Sequence, residues 1–296
     1  MAPGRGPEWE LKAEEFRVLR ELLASKLGLA LNVDARVSAG RKLRDRLHVL
    51  HLQTFAEYFH YLRYHPSAAA EWEEVVELFT THETYFFRED YQLRSFEEEL
   101  LPRLAAQGKS RRRLSLWSAG CSTGEEPYTV AMLVERSGLF GDWEVRVFGS
   151  DLSKRCIATA RRGFYGPSSF RATPELVKRT YFETRAGFEA RPGLDARAGA
   201  TGAFVVERIR NMVHFGQMNL LDDERARTVG RVDVIFCRNV LIYLDAHARR
   251  RVIEMFLERL TPGGVLLLGH SESLLNVSTA FELLHLKEDL VYRKPG

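Results

Sequence analysis

Cysteine is scarce in this 296-residue sequence, which contains only three. Cys121, Cys156 and Cys237 form no CxxC pair, and this odd, sparse set argues against both a disulfide framework and a zinc site. Long apolar runs are absent as well. None approaches the about 18 residues that span a bilayer, and the first residues hold no apolar stretch of signal-peptide length. We therefore expect a cytoplasmic protein without direct membrane insertion and without a metal.

An excess of one charge is also missing. Lys and Arg number 43 against 40 Asp and Glu, which gives a net charge of +3. A net charge this small indicates no class of partner, so such an indication has to come from how the charges are distributed. Hydrophobic residues make up 45% and charged residues 28%, which is typical of a folded soluble chain. A prior of about 150 residues per domain predicts two domains, with one large α/β domain as the alternative.

The first 80 residues contain only helical patterns. Apolar residues recur three and four positions apart, which predicts amphipathic helices and an all-helical domain over residues 1–80. Asn32 and Asp34 are expected to cap the second helix. The repeating apolar positions are Phe16, Leu19, Leu22, Leu23, Leu27; Leu43, Leu47, Leu50; Phe55, Phe59, Leu62; and Trp72, Val75, Val76, Phe79.

After a linker over residues 81–95, short apolar runs alternate with helical stretches. This alternation predicts an α/β domain over 96–296 with a mostly parallel sheet. Thr261–Gly264 is expected to separate the last helix from the following strand. Strands are predicted at Leu114–Ala119, Val145–Gly149, Val213–Phe215, Val232–Cys237, Val265–Gly269 and Leu290–Tyr292, and helices at Glu126–Arg136, Lys154–Arg161 and Ala246–Leu260.

A segment over residues 181–211 breaks this rhythm. Its middle is rich in Gly, Ala and Arg and has no period. Phe182 on one side and Phe204–Val206 on the other are expected to pair as short strands. The segment is interpreted as a small β insertion on the surface of the α/β domain.

The first strand of the α/β domain leads into a glycine-containing turn that is a candidate ligand loop. Gly120 and Gly124 allow a ligand to approach the backbone, and Ser122 and Glu125 have the spacing of a capping box. The turn is not a GxGxxG, and acids at the helix start disfavour a pyrophosphate. A carboxylate such as Glu126 suits an ammonium group instead; the alternative is that both acids only serve the helix dipole.

The second strand ends at Asp151. A carboxylate at this point is placed to accept hydrogen bonds from both hydroxyls of a ribose. The alternative is that Asp151 caps the helix that begins near Ser153. Together, the glycine turn and this acid favour an adenosyl ligand.

Five longer motifs stand out in the sequence: TTHETYFFRE (80–89), LWSAGCSTGEEPYTVAM (116–132), FGSDLS (148–153), FCRNVLIYL (236–244) and GGVLLLGHSES (263–273). In their order and spacing they resemble the CheR-type chemotaxis receptor methyltransferases, and the resemblance covers nearly the whole chain. It implies a Rossmann-like class I methyltransferase domain that uses S-adenosylmethionine (SAM), with an N-terminal all-helical domain and a small β insertion.

The resemblance implies methyl transfer from SAM to glutamate side chains of bacterial chemoreceptors, which leaves S-adenosylhomocysteine. Glu126 would hold the SAM ammonium group, Asp151 the ribose, and Asn219 and Leu220 the adenine. Further residues implied at the cofactor site or its pocket are His82, Thr84, Arg88, Gly120, Arg238, Asn239 and Tyr243. Two features depart from the family: His82 stands where Asn is usual, and the β insertion is longer.

A glutamate with a pKa of about 4.3 is ionised at neutral pH, so its methylation needs no general base. Alignment supplies up to about 7–11 kcal/mol of such catalysis. Arg88 and Tyr243 are the candidate catalytic residues that hold the carboxylate. The alternative roles are an ion pair for Arg88 and packing for Tyr243.

A basic helix is the candidate surface for the acidic helices of a receptor. Only Asp45 offsets the positive side chains of this helix, so its exposed surface is expected to be positive. The alternative is an ordinary solvated helix face. Two other functions stay open: a nucleic-acid methyltransferase, which this basic stretch would suit, and a SAM-binding module without catalysis. The sequence after the fourth strand lacks the Asn-Pro-Pro-aromatic pattern of base methylation, so we expect no nucleic acid partner. The receptor-binding candidates are Arg41, Lys42, Arg44 and Arg46.

Overall fold

The computed structural model of the chain describes residues 10–184 and 202–296. The chain divides into two compact units. A helical unit comprises the residues up to Thr81 together with Tyr243–Arg249, and an α/β unit comprises His82–Ile242 and Arg250–Gly296. Across the described residues, every helix is too short or too polar to cross a membrane.

The helical unit forms because its apolar stripes face one another. Leu19, Leu43, Leu47 and Val75 are completely buried, as the periodicity predicts. The predicted caps are wrong, because a 3₁₀ turn lies between Asn32 and the second helix. The N-cap of that helix is Ala35, which makes no side-chain cap bond. The four helices are α1 (Ala13–Leu27), α2 (Arg36–Val49), α3 (Phe55–Tyr64) and α4 (Ala68–Phe79).

The α/β unit is built on a seven-stranded sheet of order β6-β2-β1-β7-β8-β10-β9. The first five of these strands are parallel, and β10 runs antiparallel to both of its neighbours. β1 and β7 lie at the centre and are buried on both faces, which explains their continuous apolar sequence. The seven strands are β1 (Arg113–Ala119), β2 (Glu144–Asp151), β6 (Val213–Gln217), β7 (Val232–Cys237), β8 (Leu260–Leu268), β9 (Glu282–His285) and β10 (Leu290–Arg293).

Helices cover this sheet and bury a core that includes Phe86, Leu116, Val130, Phe236 and Leu267. A π-helical turn, Phe96–Leu100, joins two of the helices. The helices are α5 (Asp90–Ser95), α6 (Leu101–Gly108), α7 (Glu125–Arg136), α8 (Lys154–Arg162), α9 (Glu175–Tyr181), α10 (Glu207–Arg210), α11 (Asp223–Thr228) and α12 (Ala246–Arg259), the last of which begins in the helical unit.

A second, three-stranded antiparallel sheet of order β3-β5-β4 belongs to the same unit. Phe182 pairs with Val205, which confirms the predicted pairing across the insertion. The third strand was not predicted. Most of the Gly-, Ala- and Arg-rich run between them lies outside the described residues. The strands are β3 (Phe164–Tyr165), β4 (Phe182–Glu183) and β5 (Ala203–Val205).

The predicted break at Thr261–Gly264 is wrong. α12 ends at Arg259 and β8 begins at the next residue, so the Pro-Gly-Gly segment lies inside the strand. Gly263 adopts φ +75°, and its N–H donates to the Lys294 carbonyl at 3.1 Å. Pairing with the chain end thus supplies the backbone bonds that turn residues otherwise lack.

Candidate active site

The turn after β1 brings the backbone close to the loop after β7. β1 ends at Ala119, and Gly120, Ser122 and Gly124 follow with φ values of +79°, +50° and +94°. A Cβ atom on Gly120 would lie 2.4 Å from Val240 Cγ2, so only glycine fits there. This turn lies at the carboxyl edge of the parallel strands, where open α/β sheets bind their ligands.

Glu125, the first acid after the turn, is held in the interior by hydrogen bonds. The predicted capping box is wrong, because the N-cap of α7 is Gly124 and Ser122 makes no cap bond. Glu125 is buried, and its carboxylate accepts hydrogen bonds from Thr123 Oγ1 at 2.7 Å and Ser169 Oγ at 2.9 Å. These hydroxyls and the start of α7 compensate its charge. Glu126 is therefore the acid of this pair that stays a candidate ligand.

Glu126 belongs to a cluster of charges around one buried guanidinium. Arg238, whose side chain is 2% exposed, donates to Glu126 Oε2 and to Glu89 Oε2, both at 3.1 Å, and to the Arg88 carbonyl at 2.6 Å. Ser118 Oγ donates to Glu126 Oε1 at 2.7 Å. One guanidinium and two carboxylates carry a formal net charge of −1. Arg238 thus fixes the two acids and leaves the cluster negative, which suits a cationic group.

Asp151 is held in place at the end of β2. Its Oδ2 accepts from the Ser122 N–H and its Oδ1 from the Ser153 N–H, both at 2.8 Å. The N-cap of α8 is Ser153, whose Oγ accepts from the Cys156 N–H at 3.0 Å. Capping of α8 is thus the task of Ser153, and the alternative role considered for Asp151 is wrong. Asp151 instead ties the glycine turn to the end of β2.

The loop after β6 meets the same edge of the sheet. The Met218 N–H donates to the Asp151 carbonyl at 2.8 Å. Asn219 Oδ1 accepts from the Leu221 N–H at 3.0 Å, and Asn219 and Leu220 are both half-buried. Asn219 and Leu220, which are expected beside the adenine, therefore come directly after a residue whose backbone is hydrogen-bonded to Asp151, the acid expected at the ribose.

The segment before α5 is anchored to the α/β unit by two aromatic residues. Phe86 and Phe87 are buried in its core, and the Phe86 N–H donates to the Ser169 carbonyl at 2.9 Å. Arg88 is half-buried and donates from Nη1 to the Glu83 carbonyl at 2.8 Å. Its neighbours Phe87 and Glu89 have φ values of +60° and +56°, which are strained for side chains of this size.

Two further residues of this segment were candidates. His82 and Thr84 are both half-buried and belong to the α/β unit. His82 Nδ1 lies 3.2 Å from Cys156 Sγ in α8. The residue that departs from the family pattern thus contacts the helix that follows Asp151.

Sequence reasoning missed Glu272, which organises the loop after β7. Its Oε2 accepts from the N–H groups of Asn239 at 2.7 Å and Gly269 at 2.8 Å, and its Oε1 from Val240 at 2.9 Å and Ile242 at 3.3 Å. Asn239 has a φ of +60°. Charge-assisted bonds from four backbone donors hold this unusual loop in shape. Its only sequence signal was its presence in the GHSES motif.

Tyr243 falls in the helical unit, whereas Arg88 falls in the α/β unit. Tyr243 ends a 3₁₀ turn, and its carbonyl accepts from the Ala30 N–H at 2.8 Å. Its side chain is exposed. The two candidate catalytic residues therefore come from different units of the chain.

The basic helix α2 is less uniformly positive than its sequence indicates. Arg46 is mostly buried and forms a bidentate pair with Glu71, at 2.9 Å from Nε and 2.6 Å from Nη2. Glu71 is itself buried, and Arg46 also lies 3.9 Å from Glu74. The inclusion of Arg46 in an exposed receptor-binding surface is therefore wrong, since the fold uses its charge internally.

The other three receptor-binding candidates, Arg41, Lys42 and Arg44, are exposed. Lys42 Nζ donates to the Leu78 carbonyl at 2.6 Å and lies 5.4 Å from the Phe79 ring centroid, so it too has a local partner. Arg41 and Arg44 are three residues apart and project to a common side. They remain the strongest candidates for contact with a receptor.

Two matches with family descriptions cover most of the chain. Residues 82–290 match the CheR methyltransferase, SAM binding domain, and residues 14–80 match the CheR methyltransferase, all-alpha domain. The chain therefore belongs to the CheR methyltransferase family, and its cofactor is SAM. The acidic edge of the sheet agrees with this cofactor, because its carboxylates suit an ammonium group and ribose hydroxyls and would repel a pyrophosphate.

Two chemotaxis protein methyltransferases match this chain over most of its length and of their own. Chemotaxis protein methyltransferase 2 of Vibrio cholerae is 33% identical over 95% of this chain and 93% of its own length. Chemotaxis protein methyltransferase 2 of Pseudomonas aeruginosa is 36% identical over 92% and 90%. Among solved structures, the N-methyltransferase NodS from Bradyrhizobium japonicum in complex with S-adenosyl-L-homocysteine is 17% identical, over 68% of this chain and 88% of its own, with a TM-score of 0.35.

Proposed function

We propose that this protein transfers a methyl group from SAM to glutamate side chains of bacterial chemoreceptors. The products are glutamate methyl esters and S-adenosylhomocysteine. The observation that carries the proposal is the negative cluster of Glu126, Glu89 and Arg238 beside the glycine turn. Relatives named as chemotaxis methyltransferases support the receptor as substrate.

SAM supplies a methyl group on a positively charged sulfur, which is a good leaving group. A receptor carboxylate oxygen forms the new bond to the methyl carbon while the carbon–sulfur bond breaks, and the bonding electron pair stays on sulfur. One negative and one positive charge disappear together. The chain therefore needs to align and desolvate the reactants, and no side chain has to move a proton.

The residues around the turn have the chemistry for binding SAM. Glu126 holds the ammonium group, and Asp151 accepts from the ribose hydroxyls. Asn219 and Leu220 flank the adenine. Gly120 shapes this turn, because its positive φ and the close approach of Val240 admit only glycine. His82, Thr84, Arg238 and Asn239 complete the surroundings.

Arg88 and Tyr243 hold the substrate carboxylate in this proposal. The strained backbone on both sides of Arg88 fixes where its side chain begins. The Arg88 guanidinium donates to the Glu83 carbonyl, which is a neutral acceptor. A substrate carboxylate replaces this acceptor and forms a stronger, charge-assisted hydrogen bond. Arg88 must not bind the carboxylate too tightly, or it would stabilise the ground state as much as the transition state.

Arg41 and Arg44 of α2, with Lys42, dock the acidic cytoplasmic helices of the receptor in this proposal. Their charge favours the encounter, and this is the role left for α2 once Arg46 is assigned to the interior. The reaction takes place in the cytoplasm.

A methyl-transfer assay tests this function. The purified chain is incubated with methyl-labelled SAM and, separately, with a chemoreceptor cytoplasmic fragment and with RNA. We expect label on the receptor fragment that mild alkali releases as methanol, because glutamate methyl esters hydrolyse whereas N-methyl groups do not. Asp151→Ala, checked for folding by circular dichroism, serves as the control that loses activity.

Label on RNA, or alkali-stable label on the receptor, would contradict the proposal. SAM binding with no transfer to either substrate would make the chain a non-catalytic SAM-binding module.

A further inference from the structure

Three potential metal ligands meet beside the proposed ribose position. His82 Nδ1 lies 3.2 Å from Cys156 Sγ, and these atoms and an Asp151 oxygen all lie within 4.8 Å of one another. Cys156 is buried, while His82 and Asp151 are half-buried. Within residues 10–184 and 202–296, no other three ligand-bearing side chains come together in this way.

We infer that His82, Asp151 and Cys156 bind a divalent cation of the zinc class, and that this cation competes with SAM. The competition rests on the proposed contact between Asp151 and the SAM ribose. The metal site itself does not, because it follows from the positions of the three side chains. The Cys156 thiol releases its proton to solvent as its sulfur coordinates the cation.

The donor set matches the preference of zinc. Imidazole nitrogen, thiolate sulfur and carboxylate oxygen are its protein ligands, and three of them with one open position form an accessible site. With bond lengths of about 2.1 Å to nitrogen and about 2.3 Å to sulfur, tetrahedral ligands stand about 3.6 Å apart. The nitrogen–sulfur distance of 3.2 Å is already close to this value. The Asp151 oxygen lies at most 4.8 Å from the other two donor atoms, so it needs to approach them by up to about 1.2–1.4 Å.

The local structure holds each donor in position. Backbone N–H groups of Ser122 and Ser153 orient the Asp151 carboxylate. Cys156 lies in the first turn of α8, where its own N–H is bonded to the cap residue. A site whose ligands are held before the cation arrives loses less conformational entropy on binding.

The earlier expectation of no zinc site considered only the spacing between cysteines. Here one ligand comes from the segment before α5, one from the end of β2 and one from α8, so no short sequence motif announces them. A hydrogen bond between Cys156 and His82 alone would explain their distance, and it is the competing explanation. It predicts that the pair stays intact and binds no cation.

Cobalt is the probe that distinguishes these explanations, because thiolate-bound Co²⁺ absorbs in the near ultraviolet and tetrahedral Co²⁺ in the visible. We expect both bands when Co²⁺ is added to the full chain, and their loss when Zn²⁺ is added. Cys156→Ser and His82→Asn should each weaken binding at least about 100-fold, more than loss of an outer-shell partner costs. Absence of the thiolate band in the wild type overturns the site.

Matched controls use the same residue types elsewhere in the α/β unit. Cys237→Ala removes another buried thiol and His214→Asn an exposed imidazole, and both should keep the cobalt spectrum. If Cys237→Ala abolishes the thiolate band instead, the assignment to Cys156 is wrong. Circular dichroism of each variant separates loss of a ligand from loss of fold.

A SAM titration of the cobalt-loaded chain tests the competition. We expect SAM to remove the bands and Zn²⁺ to raise the apparent Kd for SAM in the wild type but not in Cys156→Ser. Bands that persist at saturating SAM overturn the competition and leave the metal site intact. A failed methyl-transfer assay would instead affect the proposed function alone, since cobalt binding is read without any turnover.

Discussion

A single guanidinium joins the parts of the candidate site that the sequence keeps far apart. Arg238 follows β7, yet it bonds to Glu126 at the start of α7 and to Glu89 before α5. A buried charge of this kind is costly unless it is paired, and here two carboxylates and a carbonyl pair it. Arg238 is best understood as a positioning residue for the acid that is proposed to hold SAM.

Arg88→Ala is expected to lower turnover by at least about tenfold while changing the Kd for SAM by less than about threefold. The reason is that its proposed partner is the reacting carboxylate rather than the cofactor, so the loss appears in the transition state. Single-turnover methylation and calorimetric SAM binding check the two quantities separately. Arg94→Ala, in an exposed ion-pair cluster with Asp90 and Glu288, is the control.

If Arg88→Ala abolishes SAM binding and leaves the single-turnover rate at saturating SAM unchanged, Arg88 is a cofactor ligand only. Arg88→Lys separates charge from geometry, because lysine keeps the charge but not the planar fork.

Arg46→Met is expected to destabilise the helical unit by about 3 kcal/mol, because it leaves the buried Glu71 carboxylate without its cation. Tyr58 Oη also donates to this carboxylate at 2.6 Å, so part of the charge stays compensated. Hydrogen exchange of the α2 and α4 amides in the full chain measures the change. Arg41→Met on the same helix should change exchange little, since Arg41 is exposed. Equal effects of the two variants would show that Arg46 is a surface residue after all.

At the scale of elements, the loop after β7 depends on a carboxylate from beyond β8. Glu272 gathers four backbone N–H groups, and one of them belongs to a residue with positive φ, Asn239. These bonds replace the regular pairing that a loop lacks. The shape of the candidate site therefore depends on how two neighbouring strands end.

Glu272→Gln is expected to cost about 1–3 kcal/mol of stability and to reduce methyl transfer, because its NH₂ group would face backbone N–H donors. Faster hydrogen exchange at Asn239, Val240 and Ile242 is the direct readout. The control Glu282→Gln removes a half-exposed carboxylate paired with Arg293, which should matter much less. Unchanged exchange in Glu272→Gln would refute the role of this carboxylate.

The order of the four N-terminal helices and of six strands of the main sheet was predictable because it depends on periodicity, whereas β9 and the short helices α5, α6 and α9 to α11 were not predicted. The four N-terminal helices, the glycine turn and Asp151 at a strand end all follow from residue patterns. The cap assignments at Asn32 and Ser122 failed, since capping depends on local backbone geometry that composition does not specify. Glu272 and the position of Arg46 were out of reach, because each is defined by partners distant in sequence.

At the scale of the whole molecule, the proposal assigns receptor docking to the helical unit and SAM binding to the α/β unit. A charge on α2 should therefore change how fast receptor is captured without changing how SAM is bound. Electrostatic attraction over such a surface raises association rates by about 10–1000-fold at low ionic strength.

Arg41→Glu combined with Arg44→Glu is expected to slow receptor methylation at least about tenfold at low salt and to leave the Kd for SAM unchanged. Added salt should slow the wild type and narrow the difference, since it screens exposed charges. Initial rates at several ionic strengths provide the measurement. Arg17→Glu combined with Arg20→Glu on α1 is the matched control for net charge. Wild-type rates in the α2 variant would move the docking surface elsewhere.

The position of Glu272 in the chain also affects when the site can form during synthesis on the ribosome. The glycine turn, Asp151 and Arg238 are all translated before it, but the amides after β7 lack their carboxylate until residue 272 has emerged. Until then these amides can bond only to water, and no carboxylate holds the loop in its strained backbone conformation. If the loop after β7 contributes to the SAM site as proposed, we expect the ability to bind SAM to be acquired late in synthesis, after residue 272 has emerged.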